Sequence, residues 1–347
     1  MKYVSFFSGI GGFEYAIQNT ISNAECIGYS EIKKSALKVY RDNFPDHINL
    51  GDITKISNND IKKLVTSSGG CHLIVGGFPC TNLTNFSTLC GKNQGLDGDQ
   101  SILFYELVRV IKTIQKISYC RNVKFIIENN SSMKITDRNL ITNTLKKNFK
   151  HVKVTNLDNA LFGVQTRKRL FWTNFDIPIP DRKNTNCSQT WEDILEPIDK
   201  VQYLKLTDKR IEYLNQHVEN NKKKEGLTYF IEKKNKSYKF IEEKSKYKSR
   251  IHKYSLHSDM GDELDNFYPT SYNIGKSRPI LSCNNILIDR RNNNRNLFII
   301  REFSPIELER LFGFDDNYTK SVSKTDRCKL LGNSVSVFVL KYILSFI

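Results

Sequence analysis

The sequence predicts an α/β protein: a nucleotide-type domain of short apolar strands alternating with helices, joined to a smaller, irregular and basic domain. Three observations carry this. Residues 3–21 read as a strand, a glycine turn and a helix in immediate succession. Short apolar runs then alternate with amphipathic stretches as far as Trp172, an order that builds an open α/β sheet. Beyond residue 181 the texture changes, Lys and Asn dominate to residue 296, and regular patterning returns only at Arg301. A chain of 347 residues has room for one large domain and a smaller one.

The first strand covers 3–7, the turn is Ser8-Gly9-Ile10-Gly11-Gly12, and 13–21 has helical spacing. Backbone N–H groups at the start of such a helix are free to meet a ligand. A second strand over 24–30 ends at Glu31, 20 residues beyond Gly11, where a carboxylate can accept hydrogen bonds from both hydroxyls of a ribose. The glycines read G-x-G-G, with Glu14 where a dinucleotide fingerprint has its third glycine. A ligand with a ribose but no pyrophosphate therefore fits better than NAD; a plain tight turn is the competing use. A helix over 33–43 follows, then a short strand near 48–50 ending in Gly51-Asp52-Ile53. Asp52 can accept a hydrogen bond from an adenine amino group or cap a helix.

The next strand, 71–75, runs into Gly76-Gly77-Phe78-Pro79-Cys80-Thr81. A cysteine in a loop at a strand's carboxyl end stands where open α/β sheets put their chemistry, and is a candidate nucleophile. The bland alternative is a small buried hydrophobe. The loop 81–100, punctuated by Gly91, Gly95 and Gly98, has the length of a lid or binding element. A helix over 101–117 carries Leu103, Leu107, Val110, Ile111 and Ile114 at core spacing. A strand over 123–127 ends in Glu128-Asn129-Asn130, a carboxylate beside the strand that bears Cys80. Strands around Val152 and over 170–172 flank Gln165-Thr166-Arg167-Lys168-Arg169, whose arginines, two apart on an extended segment, point the same way and suit a shared anionic or carbonyl target.

The formal charge is +16, and it is uneven: residues 222–253 hold twelve Lys or Arg against four Glu, half of the total. Aromatic residues are interleaved there, a composition that suits a nucleic-acid surface. The eight cysteines show no C-x-x-C pair, which points to reduced thiols in a cytoplasmic protein and to no metal site. No run of 18 apolar residues occurs, so no membrane association is expected. At the return, Pro305 opens a helix capped by Ser304 with Glu307 as its capping-box partner, and Gly313 ends it. The apolar tail to Ile347 should pack back on the first domain.

Taken in order, Phe7-Ser8-Gly9-Ile10-Gly11-Gly12-Phe13, Pro79-Cys80, Glu128-Asn129, Gln165-x-Arg167-x-Arg169, Arg301-Glu302 with Arg310-Leu311-x-Gly313-Phe314, and Gly332-Asn333-Ser334-Val335 resemble the DNA cytosine-5 methyltransferases. The six blocks lie between residues 3 and 337. Departures from the family pattern are Ser5 where Asp is usual, Thr81 after Pro-Cys where Gln is usual, and Asn130 where Val is commoner.

The resemblance implies a Rossmann-like, S-adenosylmethionine-dependent methyltransferase fold with a mixed sheet. Residues 1–181 would form the catalytic domain, 182–300 a target-recognition domain, and 301–347 a segment that completes the catalytic domain. It places Phe7, Ser8, Gly9, Ile10, Gly11, Gly12, Glu31, Ile32, Asp52, Ile53, Pro79, Leu103, Asn333 and Ser334 at the cofactor. Cys80 would attack carbon 6 of a flipped-out cytosine in duplex DNA, Glu128 would hold the N3 and N4 edge, and Arg167 would bind O2 with Arg169 in support. Methyl transfer to carbon 5 would leave S-adenosylhomocysteine. The implied setting is a monomer acting on DNA, nucleoid-associated if bacterial, with a restriction endonuclease as a functional partner. The nearest alternative substrate is tRNA, against which stands the lack of a Cys-Phe-Thr motif. A catalytically silent DNA-binding protein is disfavoured by the joint presence of Cys80, Glu128, Arg167 and Asn333, and a nicotinamide dehydrogenase by the missing third glycine.

Overall fold

The structure is a computed structural model that describes residues 1–79, 102–165, 167–180, 189, 191–201, 229–234, 237–242, 270–272, 286–289 and 299–347. Cys80 and the 81–100 loop lie outside the described residues, as do Thr166 and most of 182–300.

Six strands form the main sheet in the order β2-β1-β3-β4-β6-β5. They are β1 (Lys2–Phe6), β2 (Glu25–Ser30), β3 (Leu73–Gly76), β4 (Lys124–Asn130), β5 (Lys153–Asp158) and β6 (Lys168–Thr173). The first four run parallel, whereas β6 is antiparallel to both β4 and β5. This is the mixed α/β sheet expected from the sequence. Helices α1 (Gly12–Gln18), α2 (Lys34–Asn43), α3 (Asn58–Ser67), α4 (Ile102–Gln115) and α5 (Ile135–Asn148) connect them.

Alternation along the strands divides the interior in two. Tyr3, Leu73, Val75, Ile126 and Phe171 face a core shared with α1 and α2, while Val4, Ile74, Phe125, Ile127 and Trp172 face one shared with α3, α4 and α5. Both faces are covered, which explains why these strands read as nearly continuous apolar runs. The short helices α6 (Trp191–Ile194) and α7 (Ile198–Val201) precede the basic segment, and α8 (Pro305–Phe312), α9 (Lys324–Asn333) and α10 (Val337–Leu344) follow it. Val337, Leu340, Ile343 and Leu344 of α10 join Phe13, Ala16 and Ile17 of α1 in the first core. The tail is thus buried against the opening helix, as its composition requires.

The capping box of α8 forms as expected, with Ser304 Oγ accepting from the Glu307 N–H, and Gly313 closes the helix at φ +84°. Two expectations are corrected. The strand near 48–50 shrinks to a single parallel bridge between Tyr29 and Asn49, because Gly51 turns the chain away at φ +77°. Glu128 lies within β4 rather than beyond it, since pairing with the antiparallel β6 extends the strand to Asn130. Within the basic segment, where regular signals are weak, the chain still forms β7 (Tyr229–Lys234) with β8 (Ser237–Glu242), and β9 (Thr270–Tyr272), β10 (Ile286–Asp289) and β11 (Ile299–Glu302). Among the described residues no helix is long and apolar enough to cross a membrane.

Candidate active site

Register aligns the carboxyl ends of four strands: Phe6 pairs with Ser30 and Gly76, and Gly76 with Ile127. The glycine turn, Glu31, Gly77 to Pro79, and Glu128 therefore lie along one edge of the sheet. Because β6 runs the other way, its amino end, with Arg169 opposite Asn130, reaches the same edge.

The turn after β1 is wound through left-handed backbone at Phe7 (φ 57°), Gly9 (57°) and Gly11 (86°). A bulky residue in that region costs on the order of 1 kcal/mol, and such strain gathers at binding sites. A side chain at Gly11 would collide with the Phe44 ring, and one at Gly12 would press on Ser334 Oγ at 3.0 Å. Tyr318 Oη donates to the Ile10 carbonyl at 2.7 Å, so the C-terminal segment braces the turn from behind. Ser8 is turned inward, its hydroxyl 2.9 Å from that of Ser5.

Glu31 closes the turn against β2: Oε2 accepts from the Gly9 N–H at 2.9 Å, and Oε1 from the N–H groups of Ile32 and Lys33, each at 2.8 Å. Asp52 caps a short 3-10 turn, Oδ1 accepting from Thr54 N–H at 3.0 Å and Thr54 Oγ1 at 2.8 Å. These bonds hold its carboxyl below the usual range. The cap reading of Asp52 is met, and Oδ2 has no hydrogen-bond partner among the described residues. A Cβ built on Gly9 or on Gly51 would meet nothing within 4 Å, so both face a hollow beside Glu31. Ile32 is 65% exposed at its rim. An open hollow bounded by a carboxylate at a strand end, a free carboxylate oxygen and an apolar side chain fits a ribose carrying a purine. Ile53 and Ile10 are buried in the cores, and Leu103 packs against the second core.

Glu128 and Arg169 share a face of the sheet, and Arg169 Nε lies 3.0 Å from Glu128 Oε1. Burial raises the Glu128 pKa above the usual carboxyl range, against the opposing pull of Arg169 and then Arg167. A Cβ at Gly77 would stand 2.9 Å from Glu128 Oε2, so the carboxyl occupies space that only glycine leaves open. Asn129 Nδ2 donates to the Phe78 carbonyl at 3.1 Å, tying β4 to the connection that leads through Pro79 to Cys80.

Among the described residues the two arginines hydrogen-bond different groups, while both pull on the Glu128 carboxyl. Arg167 donates from Nη2 to the carbonyls of Gly332 (2.9 Å) and Ser334 (2.7 Å), and its guanidinium lies 4.9 Å from the centre of the Phe312 ring. It joins this edge of the sheet to the segment bearing the exposed Asn333 and the half-buried Ser334. Antiparallel pairing directs Arg169 to Glu128, while Arg167 precedes the strand and escapes its alternation. Sequence reasoning also missed Gly77 and Asn49; the double glycine before Phe78 was a signal for the first, and nothing marked the second. Among the described residues no cluster of His, Cys, Asp or Glu could hold a metal ion.

A carboxyl group whose pKa is raised by burial, paired with a guanidinium on the sheet edge that also carries Glu31, can grip and polarise an amidine-like edge of a base. Comparison with known proteins points the same way. The model of the family described as C-5 cytosine-specific DNA methylase matches residues 1–347. Type II methyltransferase M.NgoBV of Neisseria gonorrhoeae is 25% identical over 98% of this chain and 97% of its own length. M1.ScrFI of Lactococcus lactis subsp. cremoris is 28% identical over 97% and 75%, and M.HhaI of Haemophilus parahaemolyticus 25% identical over 99% and 93%. Among solved structures, a Spodoptera frugiperda DNMT2 mutant superposes with a TM-score of 0.60 at 18% identity, covering 99% of this chain and 98% of that one, which shows a common fold.

Proposed function

We propose, from the premise that this chain belongs to the C-5 cytosine-specific DNA methylase family, that it methylates cytosine through a covalent adduct of Cys80 with a base turned out of the duplex. The chain is a DNA (cytosine-5)-methyltransferase, an enzyme of methyl transfer to DNA. S-adenosylmethionine supplies an electrophilic methyl group, the chemistry that no side chain can provide. The residues at the hollow fit it: Glu31 would accept from the ribose hydroxyls, Asp52 Oδ2 from the adenine amino group, and Ile32 would cover the purine. The N–H groups of the Ser8 to Gly12 turn, with Asn333 and Ser334, would face the amino-acid end.

The observation that carries the reading is the Glu128–Arg169 pair, 3.0 Å apart at the edge from which Phe78 and Pro79 lead to Cys80. Carbon 5 of cytosine is a weak nucleophile, and addition of a thiolate at carbon 6 activates it. The Cys80 sulfur would bond to carbon 6 while the ring electrons move toward N3, which Glu128 protonates or hydrogen-bonds. Arg169, on the same face as Glu128, is better placed than Arg167 for the charge growing on O2, and Arg167 keeps the C-terminal segment in register. Carbon 5 then takes the methyl group, a base removes the carbon 5 proton, and the returning electron pair expels Cys80. A base stacked in the duplex cannot reach this edge, so it must flip, at a cost of a few kcal/mol.

The basic residues 222–253 support a DNA-reading role for 182–300. The type II names of several relatives favour action beside a restriction endonuclease; a cytoplasmic monomer acting on DNA completes the reading. The test is incubation with duplex DNA containing 5-fluorocytosine and the methyl donor. A covalent complex with the protein, absent with Cys80→Ala, is the expected result. No complex, or one that survives Cys80→Ala, overturns the adduct. A parallel assay on tRNA decides the rival substrate.

A further inference from the structure

Beside β2 the chain has one bridge in place of a strand. The Tyr29 N–H donates to the Ile48 carbonyl at 2.9 Å, and the Leu50 N–H to the Tyr29 carbonyl at 2.7 Å. Just beyond, the two segments carry the carboxylates of the cofactor hollow, Glu31 on one and Asp52 on the other. A longer ladder would hold them together there; the Asn49 side chain does so instead. Its Oδ1 accepts from the Gly51 N–H at 3.0 Å and the Glu31 N–H at 3.4 Å, and its Nδ2 donates to the Glu31 carbonyl at 3.2 Å. From the other side, Ser30 Oγ donates to the Gly51 carbonyl at 2.5 Å. One amide thus bonds both backbones, and one hydroxyl locks the turn between them.

We propose that Asn49 is a positioning residue for S-adenosylmethionine, setting the separation of Glu31 and Asp52 in place of a missing backbone ladder. The proposal rests on the reading of those carboxylates as ribose and adenine acceptors. A nucleoside presents its ribose hydroxyls and its amino group at a fixed spacing, so acceptors held at that spacing bind it without paying to be ordered. An amide carries its donor and its acceptor on separate atoms of one short side chain, so it can bridge two backbones, and Asp here would lack the donor and add a second charge beside Glu31.

The test is calorimetric titration of the full chain with S-adenosylmethionine, without DNA, alongside steady-state methyl transfer. Asn49→Ala should raise Kd about tenfold and KM in parallel, with kcat changed by less than about twofold. Ser30→Ala, which loosens only Gly51, should raise Kd about threefold. Glu31→Ala is the reference. If it weakens binding while Asn49→Ala and Ser30→Ala leave Kd within about twofold, the positioning role is wrong and the cofactor reading stands. If Glu31→Ala itself leaves Kd unchanged, the cofactor reading falls and this proposal with it. A loss of kcat without a change in Kd also overturns it. Should Asn49→Ala fail to fold, Ser30→Ala decides by the same criterion.

Discussion

Arg169 and Glu128 meet across neighbouring antiparallel strands, with Nε 3.0 Å from Oε1, although 41 positions separate them in sequence. The guanidinium pulls the carboxyl toward ionisation while burial pushes it the other way, and burial prevails. Arg169→Ala removes the opposing pull, so the Glu128 pKa should rise further. The expected outcome is a fall in kcat on the order of 10²-fold, with the pH–rate profile displaced to higher pH. Glu128→Gln should slow methyl transfer by at least as much, leave calorimetric binding of the methyl donor within about twofold, and abolish the corresponding limb of the profile. Equal rates for Glu128→Gln and wild type would remove the carboxyl from the chemistry.

Gly77 is the subtler requirement. A methyl group there would lie 2.9 Å from Glu128 Oε2, closer than non-bonded atoms approach. The carboxyl is confined by Arg169 and must turn out of the pair. Gly77→Ala should therefore lower kcat by about one to two orders of magnitude, with the unfolding midpoint and methyl-donor affinity nearly unchanged. Single-turnover rates and thermal melts measured side by side check this.

Much of this arrangement was legible in the sequence because strand ends are punctuated. Glycines at 9, 51 and 76, and carboxylates at 31, 52 and 128, mark where apolar runs stop and side chains meet solvent or ligand. What escaped depends on pairing, which no local pattern encodes. Arg167 and Arg169 look equivalent as an alternating pair, and only the antiparallel insertion of β6 beside β4 sends one to Glu128 and leaves the other for Gly332 and Ser334. Asn49 looks like any residue of a short strand until the ladder beside Tyr29 is seen to be a single bridge. Glu14 looked like a missing glycine; it is in fact a fully buried carboxyl.

That burial has a consequence for stability. Glu14 sits at the start of α1 beside the Ser5 and Ser8 hydroxyls, and accepts from Tyr40 Oη at 3.1 Å. Desolvation raises its pKa from 4.5 to about 7. The folded state then binds this proton more tightly than the unfolded chain. Its contribution is fully present below pH 4.5 and is lost as pH rises to about 7, by at most about 3 kcal/mol. Glu14→Gln keeps the acceptor for Tyr40 and cannot ionise. Its melting temperature should match wild type at pH 5 and exceed it at pH 8; equal differences at both values would show that Glu14 does not titrate in this range.

Arg167 bonds carbonyls 165 and 167 positions away in sequence, and it is 7% exposed. Removing it leaves the Gly332 and Ser334 carbonyls without a charged donor and strips the Phe312 ring of its cation. Arg167→Ala should cost about 2–4 kcal/mol in urea unfolding. Arg167→Lys keeps one nitrogen that can donate to two carbonyls but loses the planar group over the Phe312 ring, so it should recover only part of that loss. Since the bonded segment includes Asn333 and Ser334, both variants should also weaken methyl-donor binding several-fold. Were Arg167 to touch the cytosine instead, binding of the donor without DNA would be unaffected and kcat alone would fall. Calorimetry without DNA, paired with kcat at saturating donor, separates the two roles.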